Sequence, residues 1–158
     1  MKNHFYNAYF GNKRCEVEEI YKNLNFDGIT TIIEPYCGSC AISYYIWINN
    51  KEKNYKYILN DNNKYLKEMF DLMQSDEKIK KFENDYHKII KDIDKRKYDE
   101  LIKKEELLSY FLKNKLYKIR PGIFPNDDLR LGQKVINLKS FPIYDFFKYA
   151  DIEFTTTD

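Results

Sequence analysis

The sequence predicts an α/β fold, a parallel sheet interrupted by a long helical insert. Three observations predict it. A β-branched run, Thr30-Thr31-Ile32-Ile33, leads through a glycine-bearing turn into an apolar helical stretch and a second strand-like run. About fifty residues, 64–117, then carry apolar side chains at helical spacing with no strand signal. An alternating segment, Ile152-Glu153-Phe154-Thr155-Thr156, closes the chain as a third strand.

The elements follow in order. Val17 to Leu24 has acidic residues at its start and apolar ones at helical spacing, so a helix is expected. The run ending at Ile33 reads as a buried strand. It stops at Glu34-Pro35-Tyr36-Cys37-Gly38-Ser39-Cys40, after which Ala41 to Ile48 is apolar enough for a helix packed on a sheet. Tyr55 to Leu59 reads as the next strand, ended by Asn60-Asp61-Asn62. Strand, turn, helix and strand together make the start of a parallel sheet.

Beyond Lys64, helical spacing governs Leu66, Met69, Phe70 and Met73, then Ile79, Phe82, Tyr86, Ile89, Ile90 and Ile93, then Leu107, Leu108, Phe111 and Leu112. Arg120 to Asp128 reads as an irregular loop, and Tyr144 to Tyr149 as a short helix. The expected division is a first α/β part over 1–63, a helical lobe over 64–130 and a return to the α/β part over 131–158.

Composition narrows the function classes. Hydrophobic residues make up 43% and aromatics 17%, enough for a core and too much for a disordered chain. No apolar run approaches the ~18 residues of a membrane span. Met1-Lys2-Asn3-His4 precedes no apolar stretch, and three cysteines are an odd count for a disulfide scaffold. The expectation is a soluble intracellular, cytoplasmic protein that is not secreted. Net charge is only +2, but 78–120 holds 14 basic and 8 acidic residues, a pointer to a polyanion on the helical lobe. A solvated helical face of mixed charge reads equally well there.

Three places could carry chemistry. Open parallel sheets bind ligands at the carboxyl ends of their strands. There stand Gly38, where backbone can pass close to a ligand, and Asp61, whose two oxygens suit the adjacent hydroxyls of a ribose. The same residues also fit a helix N-terminus with an Asx-type cap at Asp61. Upstream, Tyr9-Phe10-Gly11-Asn12-Lys13 sets a cation beside a flexible glycine and aromatics, able to grip a carboxylate. Read in isolation it is more simply a plain N-terminal loop. Asp158 lies just past the third strand. Trp47 and most of the Tyr and Phe residues read as core, His87 as surface, and neither histidine as a general base. Beside the Cys37 and Cys40 pair, the scattered Cys15, His4 and His87 form no second pair for a metal.

Taken together, Tyr-Phe-Gly-Asn-Lys, Glu-Pro-Tyr-Cys-Gly-Ser-Cys and Ile-Leu-Asn-Asp-Asn-Asn, in this order, resemble the Dam-type adenine-specific DNA methyltransferases. The resemblance implies a Rossmann-like sheet that binds S-adenosylmethionine, with an inserted helical lobe that recognises double-stranded DNA. It implies methyl transfer to the exocyclic amino group of adenine. In the family's opening aromatic–x–Gly–x–Lys segment, Tyr9, Gly11 and Lys13 would hold the methionine end of the cofactor. Glu34, Pro35, Tyr36 and Gly38 fill the glycine motif, with Gly38 admitting the cofactor and Glu34 supporting the turn. Asp61, with Asn63, fills the ribose motif, and Asp158 would lie near the cofactor adenine. Leu107 to Tyr117 resembles the last helix before a target-reading loop, where Lys118, Arg120 and Arg130 would meet phosphates or base edges.

The sequence departs from the family in two places. Cys40 stands where the motif has its second glycine, and a side chain there is expected to crowd the approach of helix and cofactor. No Asp-Pro-Pro-Tyr occurs, so no catalytic residue is assigned. That motif polarises the adenine amino group and stacks on a flipped base. The expectation is a truncated, split or degenerate methyltransferase whose sheet is incomplete at its C-terminal side. It would be inactive alone and completed by a second chain carrying the motif. Two other functions fit parts of the sequence. Cys37-Gly38-Ser39-Cys40 at a strand-to-helix turn is what a thioredoxin-like redox site looks like. A non-catalytic nucleic-acid-binding protein would use the basic lobe alone.

Overall fold

The computed structural model describes residues 13–91, 93, 95–116 and 136–157. A 3-10 turn, Lys13–Cys15, leads into α1 (Val17–Lys22). Then follow β1 (Thr31–Glu34), α2 (Ala41–Asn49) and β2 (Lys56–Asn60). Four helices come next, α3 (Lys64–Met73), α4 (Asp76–Lys91), α5 (Lys95–Leu101) and α6 (Leu107–Leu116). A 3-10 turn at Leu138–Ser140, α7 (Ile143–Tyr149) and β3 (Asp151–Thr155) complete the described chain. The α/β expectation and its three strands are borne out.

The three strands form one parallel sheet in the order β1-β2-β3. Glu34 pairs with Leu59, Leu59 with Phe154, and Asn60 with Thr155. All three carboxyl ends therefore meet at one edge of the sheet.

Side chains alternate across a strand, so the register sorts the residues onto two faces. Tyr57, Leu59 and Phe154 lie on the buried face. Helix α7 crosses it between α2 and α3. Phe146 meets Tyr57 edge-on at 5.1 Å and lies against Tyr44 and Trp47 of α2. Phe147 meets Phe70 of α3 at 5.3 Å, and Phe70 meets Phe154 at 5.5 Å. Trp47 thus packs, as expected. On the opposite face Lys56 and Glu153 form an exposed ion pair at 2.8 Å, and Ile33 is 64% exposed. Parallel sheets are ordinarily covered on both faces. Here, among the described residues, the covered face is the one that carries α2, α3 and α7.

The helices form for local reasons. Asn63 caps α3, its Oδ1 accepting from the Tyr65 N–H at 3.1 Å. Leu66, Met69 and Met73 then share one buried face. In α4, Asp76 and Glu77 open the first turn, Lys88 and Lys91 close the last, and Ile79, Phe82, Tyr86 and Ile90 face inward. Phe82 and Tyr86 both meet Phe111 of α6 edge-on. The apolar faces of α3, α4 and α6 join the same hydrophobic cluster as Leu59 and Phe154.

The chain returning from the helices is tied to α4 by two side chains one turn apart. His87 Nε2 accepts from the Ile136 N–H at 3.0 Å, and Glu83 Oε1 from the Leu138 N–H at 2.7 Å. His87 is therefore half-buried and engaged, not the free surface residue its neighbours Asp85 and Lys88 suggest. Among the described residues no helix is long and apolar enough to cross a membrane.

Candidate functional site

The site lies at the carboxyl ends of β1 and β2, where two loops face each other. The β1–α2 loop carries Gly38 in the left-handed region, at φ 48°. Glycine adopts that region without steric cost. The Gly38 N–H donates to Asp61 Oδ2 at 2.9 Å, and the bond is buried. Asp61 Oδ1 accepts from the Asn63 N–H at 3.0 Å. Its carboxylate thus joins the glycine turn to the start of α3, and Asp61 is only 6% exposed. The Asx-type geometry expected at Asp61 is present, while the cap of α3 is Asn63. Asn63 also donates from Nδ2 to the Tyr110 hydroxyl at 2.9 Å. The Tyr110 ring stacks on Tyr65 at 4.7 Å. A chain of hydrogen bonds therefore runs from α6 through Asn63 and Asp61 to Gly38.

Glu34 supports the same turn from β1. Helix α2 starts at Cys40, which makes no capping bond with its side chain. The first N–H groups of a helix need acceptors from outside. Glu34 Oε2 supplies one, accepting from the Ser43 N–H at 3.1 Å and from the Ser43 hydroxyl. Burial pushes the Glu34 carboxyl up to about 7, against the lowering effect of its bonds to Ser43 and Ile42.

Two further residues build the site without a signal in the motifs. Asn60, the last residue of β2, joins all three strand ends. Its Nδ2 donates to the Pro35 carbonyl at 3.0 Å and the Thr157 carbonyl at 3.2 Å. Its Oδ1 accepts from the Thr155 hydroxyl at 2.8 Å and the Thr157 N–H at 3.1 Å. An asparagine ending an otherwise apolar strand was its trace in the sequence, since strands disfavour that residue. Ser43, the one serine in the otherwise aliphatic and aromatic run 41–48, was the other.

The expected site residues are thus partly brought together. Glu34, Tyr36, Gly38 and Asp61 share the two loops, with Tyr36 86% exposed. Lys13 forms a surface pair with Glu16 at 3.2 Å, in a turn that lies against α2. Such a pair is weak and exchanges readily for another anion. Tyr9, Gly11, Asp158, Lys118, Arg120 and Arg130 lie outside the described residues.

Cys40 stands at the position where the motif has its second glycine. It takes the left-handed conformation, φ 53° and ψ 33°, which its motif position fills with glycine. Its side chain is fully buried within the core cluster.

A family model of the D12 class N6 adenine-specific DNA methyltransferases matches residues 9–148. The chain belongs to this family. The match runs from the Tyr9 segment through the glycine turn, Asp61 and the helices to Lys148. Comparison with the curated proteins gives no match. Membership in the D12 class displaces the thioredoxin-like reading, and the turn itself argues the same way. A redox catalyst needs an accessible, acidified thiol. Cys37 and Cys40 are both buried, and burial pushes the Cys40 thiol well above its ordinary value. Among the described residues no three His, Cys, Asp or Glu side chains gather where they could hold a metal ion.

Proposed function

We propose that this D12-class chain supplies the cofactor-binding half and the target lobe of an S-adenosylmethionine-dependent DNA adenine methyltransferase. The observation that carries the reading is the junction of Gly38 and Asp61 at the ends of adjacent parallel strands. The junction fits a nucleoside. Each Asp61 oxygen accepts one backbone N–H, and a carboxylate oxygen has a second lone pair. Two adjacent ribose hydroxyls match that spare capacity. Gly38 has no side chain to block a close approach to the turn. Tyr36 offers an exposed ring beside it. Lys13, with Tyr9 and Gly11, would take the methionine carboxylate in exchange for Glu16. Asp158 would lie near the adenine. The bound cofactor would supply the methyl group.

The three strands are read as part of a Rossmann-like sheet over 1–63 and 131–158, with 64–130 as the DNA-recognition lobe. Its partner is double-stranded DNA. The exposed lysines of α4 support a polyanion on this lobe, as does a groove of about 310 Å³ against α5 where Lys88, Lys97 and Lys104 outnumber Glu100 over an apolar floor of Ile89, Ile93 and Leu101. Lys118, Arg120 and Arg130 are assigned to phosphates or base edges. The 158 residues hold no Asp-Pro-Pro-Tyr. The motif that would complete methyl transfer is assigned, as part of this proposal, to a second polypeptide.

Calorimetry with S-adenosylmethionine tests the reading. Saturable binding is expected for the native chain and none for Asp61→Ala. Equal binding by both would remove Asp61 from the site, and no binding by either would remove the cofactor. In parallel, labelled cofactor and duplex DNA are expected to give no methylated product from this polypeptide alone.

A further inference from the structure

Cys37 and Cys40, two of the three cysteines, flank Gly38 and Ser39 in the β1–α2 turn. The Cys40 N–H donates to the Cys37 carbonyl at 2.6 Å, the first-to-fourth bond of a β-turn. Such a turn brings its end Cα atoms within about 7 Å, a span that reaches the range bridged by disulfides. The Cys40 thiol stays over the turn, donating to the Gly38 carbonyl at 3.9 Å. Cys40 is also the one non-glycine residue with positive φ among the described residues. A β-carbon is disfavoured there, so the sequence keeps a thiol where backbone alone favours glycine.

We propose that Cys37 and Cys40 form a reversible dithiol–disulfide pair, a modification site inside the turn. The oxidant is of the small-molecule disulfide class, such as oxidised glutathione. The thiolate of Cys37, the less buried of the two, attacks one sulfur of the oxidant. A mixed disulfide forms and one thiolate leaves. The Cys40 thiolate then attacks the Cys37 sulfur, forming the Cys37–Cys40 bond and expelling the second thiolate. Two electrons pass from the cysteines to the oxidant. The two protons lost by the protein thiols end on the two released thiols. Burial first, then Cys37 and the Glu34 and Asp61 carboxylates, raise the Cys40 thiol, so the first attack falls to Cys37. A stoichiometric modification does not need the acidic, exposed thiol of a catalyst. Bridge formation is also independent of cofactor binding, so either can fail without the other.

Cys15 is exposed, and Cys15→Ser leaves the pair alone. The reduced variant is equilibrated with oxidised glutathione under native conditions, quenched with acid, alkylated and mapped by mass spectrometry. Expected are loss of both free thiols, a chain lighter by two hydrogens and a peptide joining Cys37 to Cys40, all reversed by dithiothreitol. Adding Cys40→Gly, which suits the left-handed backbone, is expected to leave a stable glutathione adduct on Cys37. Both thiols remaining free in the folded chain, while the urea-unfolded chain oxidises, would overturn the proposal. So would an adduct on Cys37 that persists beside a free Cys40.

Discussion

The Gly38 N–H and Asp61 Oδ2 meet at 2.9 Å across 23 residues of chain, inside the protein. This bond sets the distance between the β1 and β2 loops, and the other Asp61 oxygen holds the start of α3. A buried N–H left without an acceptor costs about 1–3 kcal/mol. Asp61→Ala orphans two, and is expected to lose about 2–4 kcal/mol of stability in urea titration. Asp61→Asn keeps one acceptor oxygen and is expected to lose about half as much. A loss under ~0.5 kcal/mol for Asp61→Ala would mean that the bond does not hold the loops.

Asn60 makes a prediction of its own. Its amide bonds to Pro35, Thr155 and Thr157, so one side chain ties the ends of all three strands. Asn60→Ala is expected to cost about 1–3 kcal/mol, because these bonds are partly open to water. The local readout is sharper than the global one. Amide exchange at Thr157 is expected to accelerate, while that at Tyr57 in mid-strand stays slow. Equal acceleration at both would show general loosening.

Much of this architecture was legible because its signals are local. β-branched residues marked β1, the spacing of Leu66, Met69 and Met73 marked α3, and Gly38 and Asp61 fell at strand ends. The hydrogen-bond partners were not legible, since they join residues distant in sequence. Nothing in Ser43 pointed to Glu34, nor in Tyr110 to Asn63. His87 was misread for the same reason. Its neighbours Asp85 and Lys88 are polar, but its partner is Ile136, 49 residues on. The burial of Cys40 in the core was not legible either, since it depends on how the turn is folded against the helices.

Glu34 gives the chain a predictable pH dependence. Its carboxyl is raised from 4.5 to about 7 in the folded state, chiefly by burial. The folded chain therefore holds this proton more tightly than the unfolded one. The resulting stability is fully present below pH 4.5 and is lost as pH rises through about 7. The shift corresponds to about 3 kcal/mol. Glu34→Gln keeps an acceptor for Ser43 and cannot ionise. Urea titrations from about pH 5 to about pH 8, across most of the window in which the proton is lost, are expected to show the native chain losing stability relative to Glu34→Gln. Parallel curves would assign the carboxyl an ordinary affinity for its proton.

Cys40 sits in the left-handed region, where a β-carbon costs about 1–2 kcal/mol and glycine costs nothing. The ordinary ranking of truncations at a fully buried position puts alanine above glycine, since alanine keeps more packing. Here the backbone opposes that ranking. Alanine retains the strain of the β-carbon and loses the buried sulfur; glycine loses both the strain and the side chain. Cys40→Gly is therefore expected to be more stable than Cys40→Ala by about 1 kcal/mol, measured by urea titration under reducing conditions. If alanine proves the more stable, packing of the β-carbon outweighs the strain, and the turn keeps Cys40 for its bulk.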